Sequence, residues 1–235
     1  VRSRRQRQMC IRDSGSGVLL DLCDKRFNKS LNLSGVDINS AELNLARERL
    51  CHTNIKLYES MAQNLNFFSD TSVDVILCHW ALTLMDPVIP VFSAVNRLLI
   101  KGGVFAAITD GDVNNSSSYH EIHNIIYECV QQELPNYGKI EIGDPRVRTV
   151  DGLNELVTKT FIDPKITITP HLLSFYASPN ILAQEVAGFF YASFVLSPKG
   201  KSKMLVKLEK FFSEQTNNGD SCFKMPINRL IVRQN

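Results

Sequence analysis

The sequence predicts an α/β protein built on a doubly wound, mostly parallel sheet. Two observations carry most of that expectation. From residue 15 onward, strand-like and helix-like segments alternate at lengths that suit parallel strands joined by right-handed crossovers. Within that alternation "VDVILCHWAL" is a nearly continuous apolar run, the mark of a strand buried on both faces.

Taken in order, "GSGVLLDLCDKRFN" opens on glycines and becomes a helix with Val18, Leu19, Leu22 and Cys23 on one side. "LNLSGVDI" is a short strand. Ser40 can cap the helix after it, where Leu43, Leu45, Ala46 and Leu50 are apolar and Arg47 and Arg49 sit toward the negative end of the dipole. "NIKLYES" and "VDVILCHWAL" are the next strands. "DPVIPVFSAVNRLLI" is a helix with prolines early, where a missing N–H costs little, and "KGG" ends it before the buried strand "VFAAITD". The second half is less regular. "YHEIHNIIYECVQQEL" and "VDGLNELVTKT" read as helices and "PKITITP" as a strand. An aromatic-rich helical insertion is expected near 171–215, and "KMPINRLIVRQN" closes the chain as a strand.

Residues 15–235 are expected to form a single domain. Residues 1–14, "VRSRRQRQMCIRDS", are read as non-native or disordered: five arginines fall in the first twelve positions, with neither strand nor helix periodicity. The segment resembles translated adaptor read-through at the end of an assembled transcript, and on that reading the first strand is missing.

Composition excludes more than it selects. A hydrophobic fraction of 44% suits an ordinary folded protein, and a net charge of +2 with interspersed signs gives no prior for nucleic acid or an anionic membrane. No apolar stretch reaches spanning length. The six cysteines show no CxxC pair and no metal-like spacing, so a reduced, cytoplasmic protein without a metal site is expected. Nothing in the sequence sets an oligomeric state.

Asp37 is the most informative residue. In a doubly wound sheet ligands lie at the carboxyl ends of the strands, where a glycine loop after the first strand faces an acid ending the second. The acid's two oxygens can accept both hydroxyls of a ribose, and glycines let backbone approach the ligand. Asp37 stands about twenty residues beyond Gly15 and Gly17, the spacing of such a site. The alternative is that Asp37 only caps the following helix, a task open to Asn39 and Ser40. A dinucleotide fingerprint would place its third glycine at Leu20, which counts against NAD.

The ordered series "GSG … GVDIN … AQNLNFFSDTSVDVILCHWALTLMDP … RLLIKGG" resembles the motifs of class I S-adenosylmethionine-dependent methyltransferases, above all the small-molecule group. Those motifs are a D-x-G-x-G-x-G loop, an acid ending the second strand, an A-E-x-L-P-F-x-D-x-S-F-D stretch and an L-K-P-G-G turn. The resemblance covers residues 15 to about 110 and implies a Rossmann-like sheet with an antiparallel last strand, and S-adenosyl-L-methionine as cofactor. It places Gly15 and Gly17 in the loop beside the cofactor's methionine part, Asp37 on the ribose and Ile38 beside the adenine. Met61 and Ala62 fall where the family often has Asp-Ala, and Met61 cannot accept from the adenine amino group. Gln63 can hydrogen-bond adenine, and Cys78 marks the strand end whose backbone touches the cofactor. The first loop glycine is replaced by Asp13.

In-line methyl transfer depends on proximity, orientation and a dry site, so no nucleophilic triad or metal is required. His79 is the best-placed candidate base. Tyr119, His120 and His123 lie on a helix that can serve as a lid, and Arg146 and Arg148 can pair a substrate carboxylate; all five also read as ordinary surface residues. A small, partly apolar acceptor is expected, with no nucleic acid and no membrane partner. The alternatives are a methyltransferase-like binding protein without catalysis and an NAD-dependent oxidoreductase.

Overall fold

A computed structural model describes residues 8–12, 14–139, 143–216 and 218–235, the side chain of Arg12 excepted. In chain order the elements are β1 (Gln8–Arg12), α1 (Val18–Arg26), β2 (Asn32–Asp37), α2 (Ser40–Arg49), β3 (Lys56–Glu59), β4 (Val73–His79), α3 (Ile89–Leu98) and β5 (Leu99–Asp110). There follow α4 (Ser117–Glu133), α5 (Val150–Thr160), β6 (Lys165–Ala177), α6 (Pro179–Phe189), α7 (Pro198–Glu214) and β7 (Ser221–Arg233). The seven strands form one sheet in the order β3-β2-β1-β4-β5-β7-β6. The pairs β1–β2, β1–β4, β2–β3 and β4–β5 are parallel, and the last strands run antiparallel. The strand order reverses between β1 and β4, the topological switch point at which doubly wound sheets bind ligands.

The central strand is β1, which corrects the expectation that the first strand is missing: residues 8–12 of the segment set apart in the sequence belong to the sheet. Gln8–Arg12 pairs on one side with Asn32–Val36 and on the other with Val75–Cys78. Its side chains alternate between two cores. Met9 and Ile11 join Leu20, Cys23, Leu33, Ala46 and Leu50 on one face, while Cys10 joins Ile76, Phe92, Phe105 and Leu156 on the other. A strand buried on both faces needs only a few apolar residues when its neighbours supply the rest. Residues 1–7 and Asp13 lie outside the described residues.

Two further expectations are corrected. The strand begun by "KITITP" continues to Ala177, so residues 171–177 are extended rather than part of a helical insertion; α6 starts at Pro179, a first-turn proline. The "KGG" turn is not the end of α3, which stops at Leu98; these glycines lie inside β5, and the Gly102 N–H donates to the carbonyl of Gln234 at 2.8 Å.

The chain divides into two compact units. One comprises Val1–Asp110, Ile142–Thr169 and Asn228–Asn235, the other Gly111–Glu141 and Pro170–Ile227. Each candidate cofactor and base residue belongs to the first. In the second, Tyr119 is buried against Phe190 and Phe223, and His123 stacks on Tyr127 with ring centroids 4.0 Å apart. Burial holds the His123 pKa below the ordinary histidine value.

Candidate cofactor and acceptor site

The loop from β1 to α1 is built for close backbone approach. Gly15 and Gly17 both take positive φ, 49° and 81°, a region that other residues rarely enter. Gly17 is also the N-cap of α1, and a Cβ there would sit 3.0 Å from that of Ala46 in α2. The Leu20 side chain packs against Gly35 of β2 so closely that a Cβ at position 35 would lie 2.6 Å from Leu20 Cδ1. The tight helix–strand approach made by the third glycine of a dinucleotide loop is made here by a glycine on the strand.

Asp37 ends β2 facing this loop. Its Oδ2 accepts the Gly15 N–H at 2.8 Å, and its Oδ1 accepts the Asn39 N–H, also at 2.8 Å. It is 3% exposed. Capping of α2 falls to Asn39, whose Oδ1 accepts from Ala41 N at 2.9 Å and Glu42 N at 3.4 Å; Ser40 is the first helical residue rather than the cap. The carboxylate is therefore spent on joining the two strand ends, not on the helix. Each of its oxygens has one bond and room to accept a second. Two neighbours escaped the sequence reading. The Glu42 carboxylate lies 3.8 Å from where a Gly15 Cβ would be, and the buried Ser14 hydroxyl beside Gly35 has no hydrogen-bond partner among the described residues.

Beyond Asp37 the surface turns apolar. Ile38 is 63% exposed and Met61 50% exposed. They follow the ends of β2 and β3, which pair Asp37 opposite Glu59. Ala62 packs against the main core, and Gln63 donates its side-chain N–H to the Pro87 carbonyl at 3.2 Å. Two exposed apolar side chains at the ends of adjacent strands suit a flat ring, and a carboxylate with spare acceptor capacity suits a diol. The residues present thus fit a nucleoside, although none replaces the acid missing at Met61.

At the end of β4, Cys78 is buried and pairs with Arg12 of β1 and Ala107 of β5, so its main chain sits at the switch point. His79 is solvent-exposed on one side and backed edge-on by Trp80, with ring centroids 5.0 Å apart. The partial desolvation lowers its pKa from the ordinary histidine value, which favours the neutral, proton-accepting form near neutrality. Trp80 has a φ of 55° and donates its indole N–H to Asp110 Oδ1 at 2.8 Å. Asp110 ends β5 as Asp37 ends β2, a parallel from which it could have been picked out in the sequence. Burial raises its pKa, against the opposing effects of the Trp80 hydrogen bond, the Arg148 charge and the Thr83 hydroxyl.

Arg146 is committed elsewhere. It meets Asp144 at 2.6 Å and Glu155 at 2.8 Å, and these two partners raise its pKa. It is therefore occupied within the protein rather than held ready for a substrate carboxylate. Among the described residues no cluster of His, Cys, Asp and Glu is arranged to hold a metal, and no helix is long and apolar enough to cross a membrane.

Comparison with known proteins agrees with the fold. Residues 13–107 match the family model described as a methyltransferase domain. No curated protein matches the chain by sequence. Among solved structures, a protein from Anabaena variabilis assigned as a methyltransferase of an antibiotic biosynthesis pathway superposes with a TM-score of 0.68 at 14% identity, covering 99% of this chain and 92% of that one. Phosphoethanolamine N-methyltransferase 2 of Haemonchus contortus, bound to S-adenosylhomocysteine and phosphomonomethylethanolamine, gives 0.58 at 16% identity, covering 99% of this chain and 49% of that one. A geranyl diphosphate methyltransferase bound to its diphosphate and sinefungin gives 0.56 at 14% identity, over 98% and 73%. Residues 13–107 are thus similar to a methyltransferase domain, and the whole chain shares the Rossmann-like fold of these methyltransferase structures.

Proposed function

We propose that this chain transfers a methyl group to a small-molecule acceptor. The observation that carries the reading is the joining of Asp37 to Gly15 at the switch point, in a domain of methyltransferase type. Asp37 accepts the ribose diol, sharing its oxygens with the Gly15 and Asn39 amides. Ile38 and Met61 enclose the adenine, with Ala62 behind and Gln63 at its edge. Gly15 and Gly17 keep side chains out of the methionine channel, and the main chain at Cys78 lines its far side. When bound, the cofactor supplies an electrophilic methyl on a sulfonium. The protein's part is to orient the acceptor, exclude water and, through neutral His79, accept a proton from it.

The small-molecule class is supported by the weak net charge and by the acceptors named for two structural neighbours, a phosphoethanolamine and a prenyl diphosphate. The six cysteines, with no CxxC pair and no metal-like spacing in the sequence, favour a reducing, cytoplasmic setting. Met61 in place of an acid favours a second reading, a binding protein without turnover. Calorimetry with S-adenosylmethionine, S-adenosylhomocysteine and NAD, followed by an assay for turnover that forms S-adenosylhomocysteine over amines, phenols and carboxylic acids, separates these. Binding of the first two with turnover supports the proposal; binding without turnover favours the second reading, and heat with NAD alone rejects both.

A further inference from the structure

We propose that Trp80 is an acceptor-recognition residue of this site and that Asp110 is the positioning residue that holds it there. This rests on the methyl-transfer reading above and specifies its acceptor side. Three independent features meet at the pair. The first is conformational: Trp80 has φ 55°, a region in which a bulky aromatic residue is an outlier that the surroundings must enforce. Its own N–H is held by the Ile108 carbonyl at 2.9 Å, so the main chain turns out of β4 while still bonded to β5.

The second is the indole anchor. Trp80 Nε1 donates to Asp110 Oδ1 at 2.8 Å, a charge-assisted bond that fixes the ring plane. Asp110 is itself fixed. Its neighbour Thr109 is fully buried and donates to the Val147 carbonyl at 2.9 Å, and buried Asn228 bonds the Asp110 carbonyl at 3.4 Å and the Arg148 carbonyl at 2.9 Å. The Thr83 hydroxyl and the Arg148 charge address the same carboxylate. Residues from the ends of β4 and β5, from the middle of β7 and from the turn before α5 thus converge on placing one ring.

The third is location. Trp80 and Asp110 stand at the carboxyl ends of β4 and β5, and His79, the candidate base, touches the Trp80 ring. A tryptophan that only filled the core would not need a left-handed backbone and a half-buried carboxylate at a ligand-binding edge. Trp80 remains half-buried beside His79.

Trp80 is the chain's one tryptophan, so its fluorescence reports on this position alone. The test compares W80A, D110A and D110N with the wild type by emission wavelength, acrylamide quenching, S-adenosylhomocysteine affinity, and KM and kcat on any compound turned over in the panel above. D110A is expected to shift Trp80 emission to the red and expose it to acrylamide, whereas D110N, which keeps an acceptor oxygen, stays within about twofold of wild-type quenching. W80A and D110A raise acceptor KM by about fivefold or more with kcat less affected, D110N stays within about twofold, and all three bind S-adenosylhomocysteine within about twofold of wild type. Unchanged emission in D110A overturns the positioning role. Unchanged acceptor KM in W80A, or a joint fall in cofactor affinity and kcat, overturns the recognition role. Absence of cofactor binding or of turnover in the wild type rejects the methyl-transfer reading and the recognition role with it, while the fluorescence comparison still decides whether Asp110 holds Trp80.

Discussion

The Asp37 carboxylate and the Gly15 amide are joined at 2.8 Å, linking the end of β2 to the loop that follows β1. The bond gives Asp37 two tasks, shaping the glycine loop and presenting acceptor oxygens at its rim. Replacing it with alanine is expected to weaken S-adenosylhomocysteine binding by about 2 kcal/mol, the scale of a lost charge-assisted bond. That is about thirtyfold in Kd by calorimetry. Because the loop loses its tie as well, the thermal midpoint should fall too; wild-type affinity in D37A rejects the ribose assignment.

The two loop glycines should differ in their tolerance of a methyl group. Gly15→Ala meets only the Glu42 carboxylate at 3.8 Å, so its cost is that of a left-handed alanine, about 1 kcal/mol. Gly17→Ala adds contacts of 3.0 Å to Ala46 and 3.1 Å to Leu50 and should cost about 2–3 kcal/mol. Urea unfolding of the two variants measures the difference, and equal costs would show that the α1–α2 contact gives way easily.

Burial raises the Asp110 pKa, so the folded state holds the proton more tightly than the unfolded state. Stability from this group therefore declines as pH rises from the unfolded value, about 3.9, through the folded one. D110N keeps the indole acceptor without the buried charge. It should be more stable than wild type at neutral pH, with the advantage disappearing below about pH 4. Thermal melts across that range provide the check; a gain that persists at low pH would assign it to something other than ionisation.

His79 should titrate below the ordinary histidine pKa of about 6.5, because desolvation penalises its charged form. Removing the ring behind it in W80A should bring the pKa back toward that value. Proton NMR of the imidazole Cε1–H in both proteins measures the change, and a wild-type value above 6.5 would count against His79 as a neutral base near pH 7.

Most of the sheet can be read from the sequence because β2, β4 and β5 announce themselves through apolar runs closed by an acid or a histidine. The central strand cannot. In "QMCIR" both ends are polar and the stretch before it is strongly basic, so its burial on two faces depends on β2 and β4, far away in sequence. The length of β6 is hidden for the opposite reason. Leu172, Leu173, Phe175 and Tyr176 suggest a helix or a core, yet they lie exposed on an edge strand where pairing with the neighbouring strand decides the conformation.

The site divides in the same way. Gly15, Gly17 and Asp37 are legible from spacing, since the loop–strand geometry fixes that spacing. The Asn39 cap shows that local hydrogen-bond competition between adjacent polar residues is settled by backbone angles rather than residue type. The Trp80–Asp110 bond joins residues thirty positions apart whose proximity follows from the pairing of β4 with β5. Arg146, a plausible substrate ligand by sequence, is taken by Asp144 only two residues away.

The middle position of β1 also bears on how the sheet is made. A ribosome emits this strand before the other described strands, and β2 and β3 follow closely enough to stack outward on one flank while the rest is still being translated. The opposite flank of β1 must wait for Val73–His79, leaving Met9 to Arg12 with an open backbone edge in the interval. Nascent chains halted between β3 and β4 should therefore be the stage most prone to pairing with the wrong partner.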